Sequence, residues 1–278
     1  MTVENNKENN VIENKLKFGT KTYIMGILNV TPDSFSDGGD FYSIDDAIKH
    51  AQYMVNDGAD ILDIGGESTR PGYQRVSEQD EINRVVPVIT ALKKKVNTPI
   101  SLDTNKALVA EKGILAGADI INDIWGLQND KNMAKVVAKY NVPVIIMHNQ
   151  KDTVYKEDII TEMTKFFNKS IEIATDAGIK RSNIILDPGI GFGKTPEQNM
   201  VVMARLKEIK LLGYPLLLGT SRKSMIGKIL DLPAKERVEG TVATTVMGIM
   251  QGIDIVRVHD VRENYRAAKV TDAILRSV

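Results

Sequence analysis

Eight short apolar runs recur along the chain, at 22–30, 61–64, 100–102, 120–121, 142–147, 184–186, 215–218 and 255–258, and each ends in a polar, ionisable or glycine-rich cluster. Parallel strands are covered on both faces, so they read as continuous Val/Ile/Leu runs rather than as alternating ones. Between the runs lie segments with helical spacing. In 44–56 the apolar positions are Ala47, Ile48, Ala51, Met54 and Val55. Ser77 precedes 78–96 with acidic residues in the first turn, a helix start signal. The segment 106–116 stops at Gly117, 133–140 is short, and 158–177 stops at Gly178; glycine suits the left-handed position past a helix end. The segment 196–212 opens on Pro196 and stops at Gly213, and 234–250 and 262–275 complete the series.

Strand and helix thus alternate eight times. Such alternation implies a parallel sheet with right-handed crossovers. The fold class expected is α/β, a (β/α)8 TIM barrel in a single domain over 16–278. An open doubly wound sheet would want a glycine-rich first turn, and Asn29-Val30-Thr31-Pro32-Asp33 is not one. The 278 residues suit one barrel of about 250 residues. Residues 1–15 are rich in Asn, Glu and Lys and read as a disordered tail.

Composition narrows the chemistry. Lys+Arg and Asp+Glu balance at 36 each, which argues against a general nucleic-acid surface. There is no cysteine, so disulfides, thiolate metal sites and thiol nucleophiles are excluded. No apolar run reaches the roughly 18–20 residues of a membrane span, and the N-terminus lacks the apolar stretch of a secretory signal. Cytoplasm is the expected location.

In a TIM barrel the site is built at the carboxyl ends of the strands. Asp103, Asn122 and Asp187 stand at three such ends. A carboxylate there suits a planar ligand edge with a ring N–H beside an amino group, which it pairs with bidentately; the alternative for Asp103 is a helix cap. Arg257 and His259 alternate on the last strand and share a face, a cation and an imidazole suited to phosphate or pyrophosphate near strands seven and eight. Ser221-Arg222-Lys223-Ser224 could take a carboxylate, a phosphate or a ring face. Asp187-Pro188-Gly189-Ile190-Gly191-Phe192-Gly193-Lys194 lacks the P-loop spacing, but its glycines allow backbone to approach a ligand. His50 reads as a helix-surface residue, and His148 as one that orients neighbours. Asn29 offers Mg2+ one carbonyl oxygen, a cation that takes few protein ligands and keeps phosphate oxygens. The Asp/Ser/Gly-rich stretch 29–40 fits a lid.

These blocks, in this order, resemble the dihydropteroate synthase family over 20–275. Asn29–Gly39 is similar to its first loop and Gly65-Gly66-Glu67-Ser68-Thr69-Arg70-Pro71-Gly72 to its second. Asp103, Asn122-Asp123, the Asp187–Lys194 block, Ser221–Ser224 and Arg257-Val258-His259-Asp260 follow in the family's sequence. The resemblance implies a transferase of folate biosynthesis. It condenses 6-hydroxymethyl-7,8-dihydropterin pyrophosphate with p-aminobenzoate to give 7,8-dihydropteroate and pyrophosphate. It implies that Asp103, Asn122, Asp187, Lys223 and Met147 meet the pterin. Asn29, Arg257, His259, Thr69 and Arg70 meet the pyrophosphate. Phe35, Thr69, Arg70, Pro71, Phe192, Lys223 and Ser224 meet p-aminobenzoate. Asp103, Asp187, Lys223, Arg257 and His259 carry the chemistry, with Mg2+ at Asn29, in a homodimer. One departure is Asn105, where the family often has an aromatic residue. The rival readings are a pterin-dependent methyltransferase barrel, which needs no pyrophosphate site, and a non-catalytic pterin- or phosphate-binding barrel.

Overall fold

The computed structural model describes residues 16–31, 44–67 and 76–277. Eight parallel strands alternate with helices: β1 Tyr23–Asn29, α1 Ile44–Asn56, β2 Ile61–Gly65, α2 Glu78–Lys93, β3 Ile100–Asp103, α3 Ala107–Ala116, β4 Ile120–Asp123, α4 Met133–Tyr140 and β5 Val144–Met147. Then follow α5 Ile159–Asp176, β6 Ile184–Asp187, α6 Pro196–Ala204, α7 Leu206–Lys210, β7 Leu217–Leu218, α8 Ser224–Leu230, α9 Val238–Met250, β8 Ile255–Val258 and α10 Val261–Leu275. The sheet order is β6-β5-β4-β3-β2-β1-β8-β7. A parallel bridge between Leu186 and Leu216 joins the two ends, so the sheet closes into the expected TIM barrel.

Two apolar cores follow from the pleat, because successive strand residues point to opposite faces. Ile24, Leu28, Leu62, Ile64, Leu102, Ile121 and Ile146 pack outward against the helices. Met25, Ile61, Ile120, Ile145, Ile185, Leu217 and Ile255 fill the barrel interior, where Leu16 and Tyr23 join them. Leu16 is thus a core residue, and the expected tail 1–15 lies outside the described residues.

The amino ends of three strands share one device. Gly58-Ala59-Asp60, Gly117-Ala118-Asp119 and Gly252-Ile253-Asp254 precede β2, β4 and β8, each glycine having positive φ. Each aspartate accepts a backbone N–H from a neighbouring strand's start: Ile24 on Asp60, Ile100 on Asp119 and Leu216 on Asp254. Lys21, Lys93 and Lys210 pair with the same three carboxylates. These bonds satisfy amides that the ladder leaves over.

Helix starts follow their sequence signals. Ser77 accepts from the Asp80 N–H, Asp158 from Ile160 and Thr161, and Thr195 forms a capping box with Gln198 ahead of Pro196. Three expectations need correction. The expected helix 196–212 breaks at Arg205, whose N–H bonds back to Val202 and whose guanidinium bridges Asp158 and Glu208. The expected helix 234–250 begins as a 3-10 turn at Ala234–Glu236, and α8 precedes it unforeseen. The seventh strand shrinks from 215–218 to Leu217–Leu218. Proline cannot donate to a ladder, and the Leu216 N–H is spent on Asp254.

Candidate active site

The polar layer of the barrel sits one step above its apolar floor. Counting two residues toward the carboxyl end from Ile61, Ile120, Ile145, Ile185 and Ile255 gives Asp63, Asn122, Met147, Asp187 and Arg257. Period two puts each on the same inner face. Pairing agrees: Asp103 is the register partner of Asn122, Met147 of Asp187, and Asp63 of Ser101.

A buried ion network crosses this layer. Arg257 Nε donates to Asp63 Oδ2 at 2.6 Å, and an Arg257 terminal nitrogen donates to Asp103 Oδ2 at 2.8 Å. Asn122 Nδ2 donates to the same Asp63 oxygen at 3.3 Å. Its Oδ1 then stands buried with no partner among the described residues, as do Asp63 Oδ1 and Ser101 Oγ. Asp187 takes the Gly189 N–H on one carboxylate oxygen at 2.7 Å. Asp103 does not cap a helix: α3 starts after Lys106, and the Ala107 N–H is taken by Asp130. Asn105 accepts from Asn129 at the surface.

Burial sets the charges. It raises the Asp103 carboxyl to about 7 against the pull of Arg257, with Asp63 adding to the rise. It raises Asp187 to about 6 against the Gly189 N–H. It opposes the Arg257 charge, but Asp63 and Asp103 overcome that and hold the guanidinium protonated. Lys223 falls to about 8, through burial first and Arg257 next, with Asp187 and Asp103 opposing. The mouth is therefore a compact set of acceptors interleaved with two cations.

Lys223 Nζ lies 4.1 Å from the centre of the Phe192 ring, a cation–π contact. Phe192 belongs to the turn between β6 and α6, where Gly189, Gly191 and Gly193 have φ of 64°, 85° and 53°. A Cβ on Gly189 would stand 2.0 Å from the His148 carbonyl oxygen, so only glycine fits. Within the protein Arg257 bonds Asp63 and Asp103, while His259 stands one residue past the end of β8. The strand ends at Val258, and His259 Nδ1 lies 2.9 Å from Ser221 Oγ. Arg222 pairs with Asp260, and Ser224 opens α8 exposed to solvent. Asn29 Oδ1 and Asp103 Oδ2 flank Gly65, at 3.7 and 3.9 Å from where its Cβ would stand.

A family model described as pterin binding enzyme matches residues 25–259. The dihydropteroate synthase of Clostridium beijerinckii is 62% identical over 266 residues, covering 94% of this chain and 97% of that protein. That of Bacillus subtilis is 55% identical over 260 residues, covering 94% and 91%. A crystal structure of dihydropteroate synthase from Clostridium difficile in the presence of pteroic acid superposes with a TM-score of 0.92 at 59% identity, covering 94% of this chain and 99% of that one.

The chain belongs to the dihydropteroate synthase family. It is a transferase of folate synthesis. The methyltransferase reading finds no support, since these relatives are synthases along nearly their whole length.

Of the residues that the resemblance to this synthase family singled out, the barrel mouth gathers Asp103, Asn122, Met147, Asp187, Lys223 and Arg257. Phe35, Thr69, Arg70 and Pro71 lie outside the described residues. Sequence reading missed Asp63, hidden inside the apolar run 61–64. Its signal was parity, because it stands two residues before Gly65 and opposite Ser101. It also passed over Lys194, whose burial only the fold displays. Asp123, grouped with Asn122 by position, points elsewhere and accepts the Trp125 and Leu127 N–H groups.

Proposed function

We propose that this chain condenses 6-hydroxymethyl-7,8-dihydropterin pyrophosphate with p-aminobenzoate, releasing pyrophosphate and forming 7,8-dihydropteroate. The observation that carries the reading is the inner layer of acceptors. Asp103, Asp187 and the unpartnered Asn122 Oδ1 converge on one mouth. A pterin offers a 2-amino group and ring N–H groups, a donor edge that such acceptors match. Pteroic acid, present with the Clostridium difficile relative, is itself a pterin joined to aminobenzoate through a methylene.

In this reading Asp103, Asn122 and Asp187 hold the pterin edge, with Met147 against its ring. The bond from the pterin methylene carbon to pyrophosphate oxygen breaks first, and ring conjugation spreads the cation that develops. Ionised Asp103 and Asp187 keep the ring electron-rich. Arg257, whose remaining terminal nitrogen is not engaged by Asp63 or Asp103, and His259 face the leaving group. The arylamine nitrogen then forms the new bond to carbon and gives its proton to pyrophosphate or solvent. Lys223 and Phe192 line the arylamine side with Ser224; Phe35, Thr69, Arg70 and Pro71 complete it.

Mg2+ fits the donors present: it takes one or two protein oxygens and fills the rest with phosphate oxygens and water. Asn29 Oδ1, at the end of β1 beside Gly65, would hold it. Among the described residues no group of three or more His, Asp or Glu forms a metal cage. When bound, the ion neutralises charge on the departing pyrophosphate. The reading extends to a homodimer, supported by Met247, Met250, Val270 and Ile274 exposed on α9 and α10. It extends also to a cytoplasmic enzyme; no helix among the described residues is long and apolar enough to cross a membrane.

Calorimetric titration with 6-hydroxymethylpterin tests the site. Asp103→Asn and Asp187→Asn should each weaken binding by about tenfold or more, the worth of a charged hydrogen bond. Wild-type affinity in both variants would overturn the assignment.

A further inference from the structure

Lys194 is a buried lysine that the condensation chemistry does not use, its ammonium pulled down to about 7 by burial, with Asp187 opposing and Lys223 adding to the fall. Its side chain is 7% exposed, although lysine is almost never buried without partners. Its ammonium has three N–H donors and finds three acceptors: the Gly189 carbonyl at 3.0 Å, the Phe192 carbonyl at 3.0 Å and His148 Nδ1 at 2.9 Å. His148 accepts only in the tautomer protonated at Nε2, hence neutral. Burial pushes its ring down to about 2, and the Lys194 charge pushes the same way. The turn between Asp187 and Lys194 is thus wrapped around an ammonium carried by its own last residue.

The same ring of bonds reaches the substrate side. Outside it, Asn199 accepts the Gly191 N–H and Tyr155 donates to the Gly193 carbonyl. Inside it, the ammonium fixes the Phe192 carbonyl, and with it the ring that lies against Lys223 Nζ. Gly191 packs on the Lys223 stem, so close that a Cβ there would stand 3.0 Å from Lys223 Cδ. Asp187 stands at the end of β6 and feels the arrangement less directly, through the Gly189 N–H that it accepts and through the Lys194 charge, which ranks last among the influences on its carboxyl.

We propose that Lys194 is a positioning residue for the arylamine half of the site, its ammonium tying the Gly189–Phe192 turn to His148 at the end of β5 and so setting Phe192 against Lys223. The inference rests on the functional reading above, which assigns Phe192 and Lys223 to p-aminobenzoate. It bears more on p-aminobenzoate than on the pterin. The pterin acceptors Asp103 and Asn122 stand on β3 and β4, away from the turn.

The test is steady-state kinetics with p-aminobenzoate, beside calorimetry with 6-hydroxymethylpterin. Lys194→Met keeps length and volume but removes all three donors. It should raise the KM for p-aminobenzoate about tenfold or more, while kcat and the pterin Kd stay within about threefold. His148→Leu removes one acceptor and should shift the same KM in the same direction by less; it decides the matter if the lysine variant does not fold. Lys194→Ala should recover a lower KM in ethylammonium chloride, which can seat a cation among the three acceptors, but not in sodium chloride. A purely structural role predicts a lower melting temperature and kcat with KM unchanged, and no ammonium rescue. Unchanged KM in folded Lys194→Met overturns the proposal. A wild-type protein with no p-aminobenzoate-dependent turnover overturns the functional reading instead.

Discussion

Arg257 and Asp63 meet across the barrel interior at 2.6 Å, although β8 and β2 are not paired and each flanks β1 on the opposite side. The contact spans 194 residues of sequence. Asp63 is wholly buried, and it also fixes the Asn122 amide so that Oδ1 is left as an open acceptor. A residue that touches no substrate in the proposed site thus orients two that do.

Removing that carboxylate should therefore act on stability and binding together. Asp63→Ala leaves the Arg257 charge with Asp103 alone and frees the Asn122 amide to turn. Breaking one side of a buried ion pair costs about 3–5 kcal/mol, and the retained Asp103 bond places this case at the lower end. Urea denaturation should show a loss of about 3 kcal/mol, and 6-hydroxymethylpterin binding should weaken with it. A loss well under 1 kcal/mol would mean that the pair is worth no more than a surface bridge.

Pterin affinity should depend on pH through Asp103. Its carboxyl stands at about 7, so below that pH it binds a proton and stops accepting two N–H groups. Affinity should fall as pH drops, by up to about tenfold per unit for one proton, with a second step near the Asp187 value of about 6. Arg257→Met removes the neighbour that holds Asp103 down, so its midpoint should move to higher pH. A flat profile from pH 5 to 8, or a midpoint that moves down, contradicts the account.

His148 should make folding sensitive to acid. Buried, it remains neutral down to about 2, whereas its unfolded value is the ordinary 6.5. Between those values the unfolded chain binds more protons, so stability falls as pH falls below 6.5. The effect is about 1.4 kcal/mol per unit, or about 2 kcal/mol from pH 6.5 to 5. Asp103, Asp123 and Asp187 are raised by burial and pull the other way. The difference between wild type and His148→Gln isolates the histidine. That difference should shrink by about 2 kcal/mol over this range; a constant difference would show that His148 is charged in the native state.

At the amino ends of the strands, Asp119→Ala should leave the buried Ile100 N–H without its acceptor and Lys93 without its partner. The first loss dominates, at about 1–3 kcal/mol, because the exposed ion pair is worth less. The urea midpoint should drop with an unchanged slope.

How far the sequence revealed the fold depends on whether each signal was local. Strand runs, the Ser77 cap, Pro196 at a helix start and the glycine stops at 117 and 178 are short-range, and they predicted their elements closely. The break at Arg205 depends on Asp158, 47 residues away, and was invisible. The shortening of β7 depends on Asp254, 38 residues on. The repeat Gly-Ala-Asp, Gly-Ala-Asp, Gly-Ile-Asp was legible but carried no meaning until the neighbouring strand starts were in place. In the site, Asp103, Asn122 and Asp187 end their strands and stand out. Asp63 and Lys194 do not: one sits inside an apolar run, and the other resembles any solvated lysine until three acceptors surround it.

The most direct measurement is pyrophosphate release by the purified protein, given Mg2+ and 6-hydroxymethyl-7,8-dihydropterin pyrophosphate, with and without p-aminobenzoate. Release should depend on p-aminobenzoate and match dihydropteroate formed mole for mole, with both sharply reduced in Asp187→Asn. Tight pterin binding with no release under either condition would contradict this reading.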